Sequence, residues 1–233
     1  ALALALAYLV ARSITQPLRQ LTDFARQIGL GLRASAPLIH KGEVGLLSQT
    51  LTKMQQDILL REQQILFQSQ HDSLTGLANR ERLFEQLDAL LGAPQVQLAV
   101  LFIDVDKFKN INDSHGHDVG DRVLLTVANR LNSFIRDGDM VSRWGGDEFV
   151  CLLLEVKHED DVLRLASKLI QRVAQGVEVS GQTLHIKISV GIALCPSDGD
   201  TADLLIKHAD KAMYKAKGTV AQVALFRQLN TPD

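Results

Sequence analysis

The sequence predicts an α/β (α+β) sandwich, a mostly antiparallel central sheet flanked by helices, preceded by an α-helical segment that forms a dimeric coiled coil. Three observations predict it. From about residue 80 onward, short strand-like apolar runs alternate with amphipathic helical stretches. Two of those runs are separated only by a glycine pair at 145–146, the mark of a tight hairpin. Upstream, two apolar stripes at heptad spacing have nothing within the chain to cover them.

The bulk numbers agree. The chain has 233 residues, 46% hydrophobic and 22% charged, which suits one compact domain plus an appendage. A net charge of −2 gives no basic surface for a nucleic-acid partner. A phosphate-bearing ligand must then be held locally, by a cation and a few aimed donors. Cys151 and Cys195 lie far apart with no CxxC pattern, which reads as two reduced core thiols in a cytosolic domain.

The elements follow in order. Residues 1–10 (ALALALAYLV) are uncharged and apolar. A span needs about twenty such residues, and Arg12, Arg19 and Arg26 follow, as on a cytoplasmic flank. The expectation is that residues 1–11 are the inner end of a transmembrane helix. Residues 12–30 carry Ile14, Leu18, Leu21, Ala25 and Ile28 in heptad steps, with Pro17 where a helix start tolerates it. Gly29, Gly31 and Pro37 break that pattern. A second stripe runs through Val44, Leu47, Leu51, Met54, Ile58 and Ile65, and the helix from Val44 to Gln70 would be about 40 Å long. Pro17 early in the first helix and Glu43-Val44-Gly45 opening the second resemble a HAMP domain over 12–62, with 63–70 as a signalling stalk. That resemblance implies a parallel dimeric four-helix bundle after a membrane helix; an ordinary coiled-coil stalk would also be a parallel dimer.

Downstream the pattern predicts a helix at 80–91, a strand at 96–105 and a helix at 118–136. Strands at 139–144 and 147–155, a helix at 159–175, a strand at 184–194, a helix at 201–216 and a short strand at 221–226 follow. Only Gln97 interrupts the apolar run 96–103, so that strand should be buried on both faces.

Two segments carry chemistry. In RWGGDEF (143–149) the glycines permit positive φ and strip away side chains, so a bulky ligand can reach the backbone, and two carboxylates follow at once. In FIDVDKFKNIND (102–113) a buried strand ends by delivering Asp104, a costly place for a carboxylate unless a cation neutralises it. Mg²⁺ suits one or two carboxylates plus phosphate oxygens and water. Lys107 and Lys109 lie at the same bend and could hold phosphates.

These segments resemble the GGDEF family of diguanylate cyclases. GGDEF stands at 145–149. HDSLTGLANR at 71–80, the stretch 102–121, ISVGIA at 188–193 and ADKAMYKAK at 209–217 match in order and spacing, and the domain is expected to occupy 71–229. The resemblance implies a GGDEF/nucleotidyl-cyclase-like fold that condenses two GTP into cyclic di-GMP and two pyrophosphates. It implies Mg²⁺ (or Mn²⁺) on Asp104, Asp147, Glu148 and the Val105 carbonyl, with Asp147 and Glu148 as the catalytic carboxylates and Asp147 the favoured proton acceptor. Asn112 and Asp121 match the guanine readers, since guanine offers N1–H and N2–H₂ donors that a carboxylate accepts. Lys107, Phe108, Lys109, Gly145, Gly146 and Lys217 complete the substrate contacts. Arg136 and Asp139 match an inhibitory product site, where arginine can pair with phosphate and guanine; an ordinary helix-end salt bridge gives the same Arg-x-x-Asp spacing.

One site holds one GTP, so the reaction needs two facing protomers, and the stalk predicts that same homodimer. The expected location is the bacterial inner membrane, with the catalytic domain in the cytoplasm. His115 and His117 are expected in the loop before Asp121 without a metal role, Trp144 and Phe149 beside the turn as packing, and Met213 and Tyr214 in the core. One departure stands out: the family continues after Lys217 with Gly-Arg-Asn, whereas this chain reads GTVAQ at 218–222. Loss of a charged phosphate contact costs about 1.5–3 kcal/mol. A second reading is therefore a weak or inactive regulatory module that binds GTP or cyclic di-GMP, with a phosphodiesterase domain after Asp233.

Overall fold

The computed structural model describes residues 3–5, 8, 11–32, 35, 42–179 and 182–230. The chain divides into two compact units, 1–67 and 68–233. In the first, a π-helical turn (Ala11–Thr15) leads into α1 (Gln16–Gly29), and the long α2 (Gly42–Gln70) follows. Pro17 occupies the first turn of α1. Leu21 and Phe24 are buried, whereas Ile14, Leu18, Leu47, Met54, Ile58 and Ile65 are exposed. Those exposed positions include six of the heptad positions read from the sequence. Among the described residues no helix is long and apolar enough to cross a membrane. Much of the 1–11 run, and Pro37, lie outside the described residues.

The second unit orders α3 (Arg80–Leu91), β1 (Leu98–Val105), α4 (Phe108–His115), α5 (His117–Asn132), β2 (Met140–Gly145), β3 (Glu148–Leu154) and α6 (Glu159–Val173). After them come β4 (Val177–Val179), β5 (Gln182–Leu184), β6 (Ile188–Cys195), α7 (Ala202–Ala216), β7 (Val223–Leu225) and a 3₁₀ turn, Phe226–Asn230. The sheet order is β2-β3-β1-β6-β7, antiparallel except that β7 runs parallel to β6 at the edge. Every residue of β1 and β6 is buried, as expected for strands covered on both faces.

Side-chain alternation sorts β1 onto two cores. Ala99, Leu101, Ile103 and Val105 join Val123, Val127, Leu131 and Leu169 of α5 and α6. Leu98, Val100 and Phe102 join Leu83, Leu87, Leu205 and Met213 of α3 and α7. Asp104 continues the second set, so it emerges at the end of the α3/α7 face. Cys151 and Cys195 are free and buried, and burial pushes the Cys151 thiol up to about 12, which keeps it unreactive.

Three expectations need correction. The helix read as 118–136 is the single helix α5, which ends earlier, at Asn132, and ahead of it a further helix, α4, set off at Gly116 (φ 86°), replaces an expected loop. Its eight residues carry only Phe108 and Ile111 as large apolar anchors, too short a pattern for periodicity to reveal. His115 and His117 therefore end one helix and begin the next. The strand read as 184–194 begins at Ile188, because Leu184 turns back to pair with Val177 in a separate two-stranded ribbon. Finally, Met213 is core but Tyr214 is 73% exposed, the next position around α7 pointing to solvent.

Candidate active site

The sheet itself sets the acidic cluster. Asp104 is directly opposite Glu148 on β3 and opposite Ser189 on β6. The Val105 amide donates to the Asp147 carbonyl at 3.1 Å, which fixes the turn against the end of β1. Gly145 pairs with Glu148, so the two-residue loop is Gly146-Asp147, shifted by one from a Gly-Gly loop. Gly146 has φ 53°, a conformation that glycine adopts without strain.

Two residues that the motif reading left without a role hold this turn. The Arg143 guanidinium donates to both Asp72 oxygens at 3.0 and 3.1 Å and to the Gly146 carbonyl at 2.7 Å. Asp72 also accepts from the Thr75 amide at 2.8 Å and the Thr75 hydroxyl at 2.7 Å. Burial would raise the Asp72 pKa, but the Thr75 bonds and Arg143 outweigh it and hold the carboxyl below its ordinary value. The sequence signal was an arginine abutting an acidic turn and an acid in the 71–80 motif.

The electrostatics are those of crowded anions at the edge of a core. Lys217, just past α7, places Nζ 2.9 Å from Asp104 Oδ2. Burial raises the Asp104 pKa and outweighs Lys217; the charges of Asp147 and Asp106 push the same way. Burial, then Asp104, Asp147 and Asp210, raise Glu148. For Lys217 burial would lower the pKa, but the hydrogen bond and charge of Asp104, with Asp147 and Asp106, raise it. The pair therefore secures the lysine's charge more than it offsets the carboxylate's desolvation. Among the described residues no group of three or more Asp, Glu, His or Cys side chains is placed to hold a metal ion by itself. The oxygens present are hard donors at the mouth of an open site: the Asp104, Asp147 and Glu148 carboxylates and the Val105 carbonyl. Such a set fits a cation that keeps waters and takes phosphate oxygens, as Mg²⁺ does, and Lys217 is the positive charge already resting there.

Beside the cluster the chain turns sharply. Lys107 adopts a left-handed conformation (φ 58°) and caps α4, so Phe108 and Lys109 form its first turn, where helix amides favour anions. Lys107 and Lys109 are exposed. Further along, the Asn112 Oδ1 is buried with no hydrogen-bond partner among the described residues. A buried amide oxygen without a donor is costly and suits a ligand N–H. It rests against Gly120 on α5, where a Cβ would lie 1.8 Å from that oxygen and 3.2 Å from the Phe108 ring. Asp121 follows, exposed, on the same helix.

The fold is shared with known proteins. Residues 69–222 match the family model described as diguanylate cyclase, GGDEF domain. The chain belongs to the GGDEF diguanylate cyclase family.

This GGDEF domain is 43% identical over 150 residues to the bifunctional diguanylate cyclase/cyclic di-GMP phosphodiesterase MucR of Pseudomonas aeruginosa, covering 63% of this chain and 22% of MucR. It is 41% identical over 169 residues to the diguanylate cyclase TpbB of the same species, covering 71% of this chain and 39% of TpbB. Against the crystal structure of the TpbB GGDEF domain the TM-score is 0.62 at 40% identity, covering 65% of this chain and 97% of that one. The diguanylate cyclase SiaD of that species, solved with its activator SiaC, gives 0.63 at 28% identity over 96% of this chain and 82% of SiaD. The chain thus spans well under half the length of these two curated relatives.

Within the GGDEF domain, the sheet joins Asp104, Val105, Asp147 and Glu148, the end of α7 adds Lys217, and α4 and α5 bring Asn112, Phe108 and Gly120 together. Arg136 and Asp139 stand apart, at the opposite end of β3, about 20 Å along the strand. There the Asp139 Oδ1 accepts from the Leu154 amide at 2.9 Å, Arg136 donates to the Leu154 carbonyl at 2.6 Å, and the two side chains pair at 3.4 Å. They line a cavity of about 460 Å³ with Phe134, Leu153, Val156 and Val162. Trp144 packs on Phe84 and Phe102, with Arg80 4.2 Å from its ring centre. In the 218–222 departure, Val220 is fully exposed.

Gly120 carries a prediction of its own. In an open helix Gly→Ala stabilises by about 1 kcal/mol. Here Gly120→Ala should push Asn112 out of place and weaken GTP binding about tenfold or more while binding of ATP changes little. Equilibrium titration with both nucleotides checks this; an unchanged GTP/ATP preference would remove Asn112 from guanine recognition.

Proposed function

We propose that this chain is the output part of a homodimeric diguanylate cyclase that condenses two GTP into cyclic di-GMP and two pyrophosphates. The observation that carries the proposal is the register of Asp104 with Glu148, the Val105–Asp147 backbone bond and Lys217 on Asp104. That geometry gathers three carboxylates close enough to influence one another, and an ammonium paired with one of them, beside a glycine-bare turn.

In this reading Asn112 and Asp121 hold the guanine edge, and the first turn of α4 with Lys107, Lys109 and Lys217 holds the triphosphate. A divalent cation, Mg²⁺ or Mn²⁺, on Asp104, Val105, Asp147 and Glu148 supplies charge neutralisation at the α-phosphate. The 3′-oxygen of one GTP forms a bond to the α-phosphorus of the other, the bond to pyrophosphate breaks, and the 3′-hydroxyl proton passes to the Asp147–Glu148 pair. Two such transfers close the ring, so two protomers must face each other. The exposed stripe Ile14, Leu18, Leu47, Met54, Ile58 and Ile65 supports a parallel dimer through a HAMP-like segment (12–62) and stalk (63–70), which raises the local concentration of the second site. Residues 1–11 would tether it to the inner membrane with the catalytic domain in the cytoplasm. Cyclic di-GMP would inhibit through Arg136 and Asp139 beside the 460 Å³ cavity.

The test is incubation of the protein with GTP and Mg²⁺ and chromatography for cyclic di-GMP. Absence of product at high protein concentration, with GTP still bound, would sink the enzyme reading. It would favour a nucleotide-binding regulatory module, which the uncharged 218–222 segment, lacking the family's arginine, supports. Arg136→Ala should keep turnover and raise the product concentration needed for half-inhibition about tenfold or more. Full inhibition in that variant removes the pair from the product site.

A further inference from the structure

Asp106 lies two residues past Asp104 and one before the left-handed Lys107, and its carboxylate is held on both sides. The buried Ser189 hydroxyl donates to Oδ1 at 2.8 Å, and Gln222 Nε2 donates to Oδ2 at 3.2 Å. The same Gln222 nitrogen reaches the Ile188 carbonyl at 3.1 Å, and the Asp106 amide donates to the Lys187 carbonyl at 2.9 Å. Gln222 is itself fixed: its φ is 55°, its amide donates to the Thr219 hydroxyl at 3.1 Å, and its carbonyl accepts from the Val190 amide at 2.9 Å. One carboxylate thus ties the exit of β1 to the start of β6 and to the segment after Lys217, which is the part of the chain that departs from the family pattern.

This brace sits where the backbone is hardest to hold. A non-glycine residue in the left-handed region is costly unless its surroundings fix it, and Lys107 is followed at once by the first turn of α4. A carboxylate released here would also be free to approach Asp104, Lys217 and any incoming phosphate.

We infer that Gln222, with Ser189, positions the 107–109 phosphate-binding turn by clamping Asp106, and that a neutral donor at 222 is what the clamp requires. The inference rests on the GTP-binding reading proposed above. Gln222 touches no substrate in it; it acts through Asp106. A leucine at 222 keeps the bulk and removes the donor. A glutamate keeps the shape and sets a second anion against Asp106, so a donor role and a packing role predict opposite rankings for these two variants.

The experiment is calorimetric titration with GMP and with a GTP analogue whose α–β bridge cannot be cleaved, both in Mg²⁺. Gln222→Leu should weaken the analogue about tenfold and leave GMP within about twofold, because the base contacts, Asn112 and Asp121, lie farther along α4 and on α5 rather than in the clamped 107–109 turn. Gln222→Glu should be weaker still. Combining Gln222→Glu with Asp106→Asn reverses donor and acceptor, and should recover most of the loss. Ser189→Ala, at the other oxygen, should show the same selective loss. Equal weakening of both ligands, or no change in Gln222→Leu, overturns the clamp. A wild-type protein that binds the analogue no better than GMP would instead overturn the triphosphate reading, and this inference with it; that failure is already visible before any variant is made.

Discussion

Asp104→Asn should lower cyclic di-GMP formation by about two to three orders of magnitude while leaving the protein folded. Asparagine keeps the size and removes the charge that faces Glu148 and Lys217. The stability side of the same substitution has a definite sign. Burial raises the folded pKa of Asp104 above its ordinary value of 3.8, so the folded protein prefers this group neutral. The associated destabilisation is present at neutral pH, above the folded pKa, and disappears as pH falls below the unfolded value. Asp104→Asn should therefore melt no lower than wild type at neutral pH without divalent cation, and any advantage should shrink as pH approaches 4. Thermal unfolding across pH together with the turnover assay checks both halves. A variant that is active, or that melts well below wild type at pH 7, would place Asp104 in a structural role.

That arrangement, a group retained against stability, explains why the site was legible in the sequence. A carboxylate at the end of an all-apolar strand and two more after a glycine pair violate the local logic of core and hairpin. Such violations mark function. The sheet also followed directly, because an uninterrupted apolar strand has few places to go other than the centre. What was not legible were groups whose role depends on another element. Asp72 and Arg143 meet across 71 residues, and neither is unusual in its own segment. Nothing in its own segment singles out Gly120, and only the Asn112 oxygen packed against it shows why a side chain is excluded. α4 does not show in the sequence because eight residues with two apolar anchors cannot establish a period.

The departure at 218–222 gains a meaning from the structure that the sequence alone did not carry. Read against the family, GTVAQ is a lost arginine. In the folded chain Thr219 and Gln222 build a closed turn whose donors end on Asp106 and Ile188. The segment's hydrogen bonds thus end on the exits of β1 and β6, and in the proposed reading the charge offered to phosphate next to it is that of Lys217.

The second large effect is expected at Gly191, on β6 opposite Phe102 and beneath α7. A Cβ there would lie 2.0 Å from the Met213 amide nitrogen and 2.1 Å from the Ala209 carbonyl oxygen. Both are backbone atoms of a helix, so no rotamer change can relieve the overlap; α7 itself must lift from the sheet. Gly191→Ala should cost about 3 kcal/mol or more, a fall in Tm of about 6–12 °C for a unit of this size. Trimming a neighbour, as in Ala209→Gly, should not rescue it, because the carbonyl remains. Function should suffer beyond the lost stability, since α7 carries Asp210 and delivers Lys217 to Asp104. At a temperature where the variant is still fully folded, GTP binding should be weaker than wild type. Denaturant unfolding with nucleotide titration separates the two effects. A Gly191→Ala protein of wild-type stability would show that the helix and strand can part by more than an ångström without loss, and that the glycine is not what sets Lys217 in place.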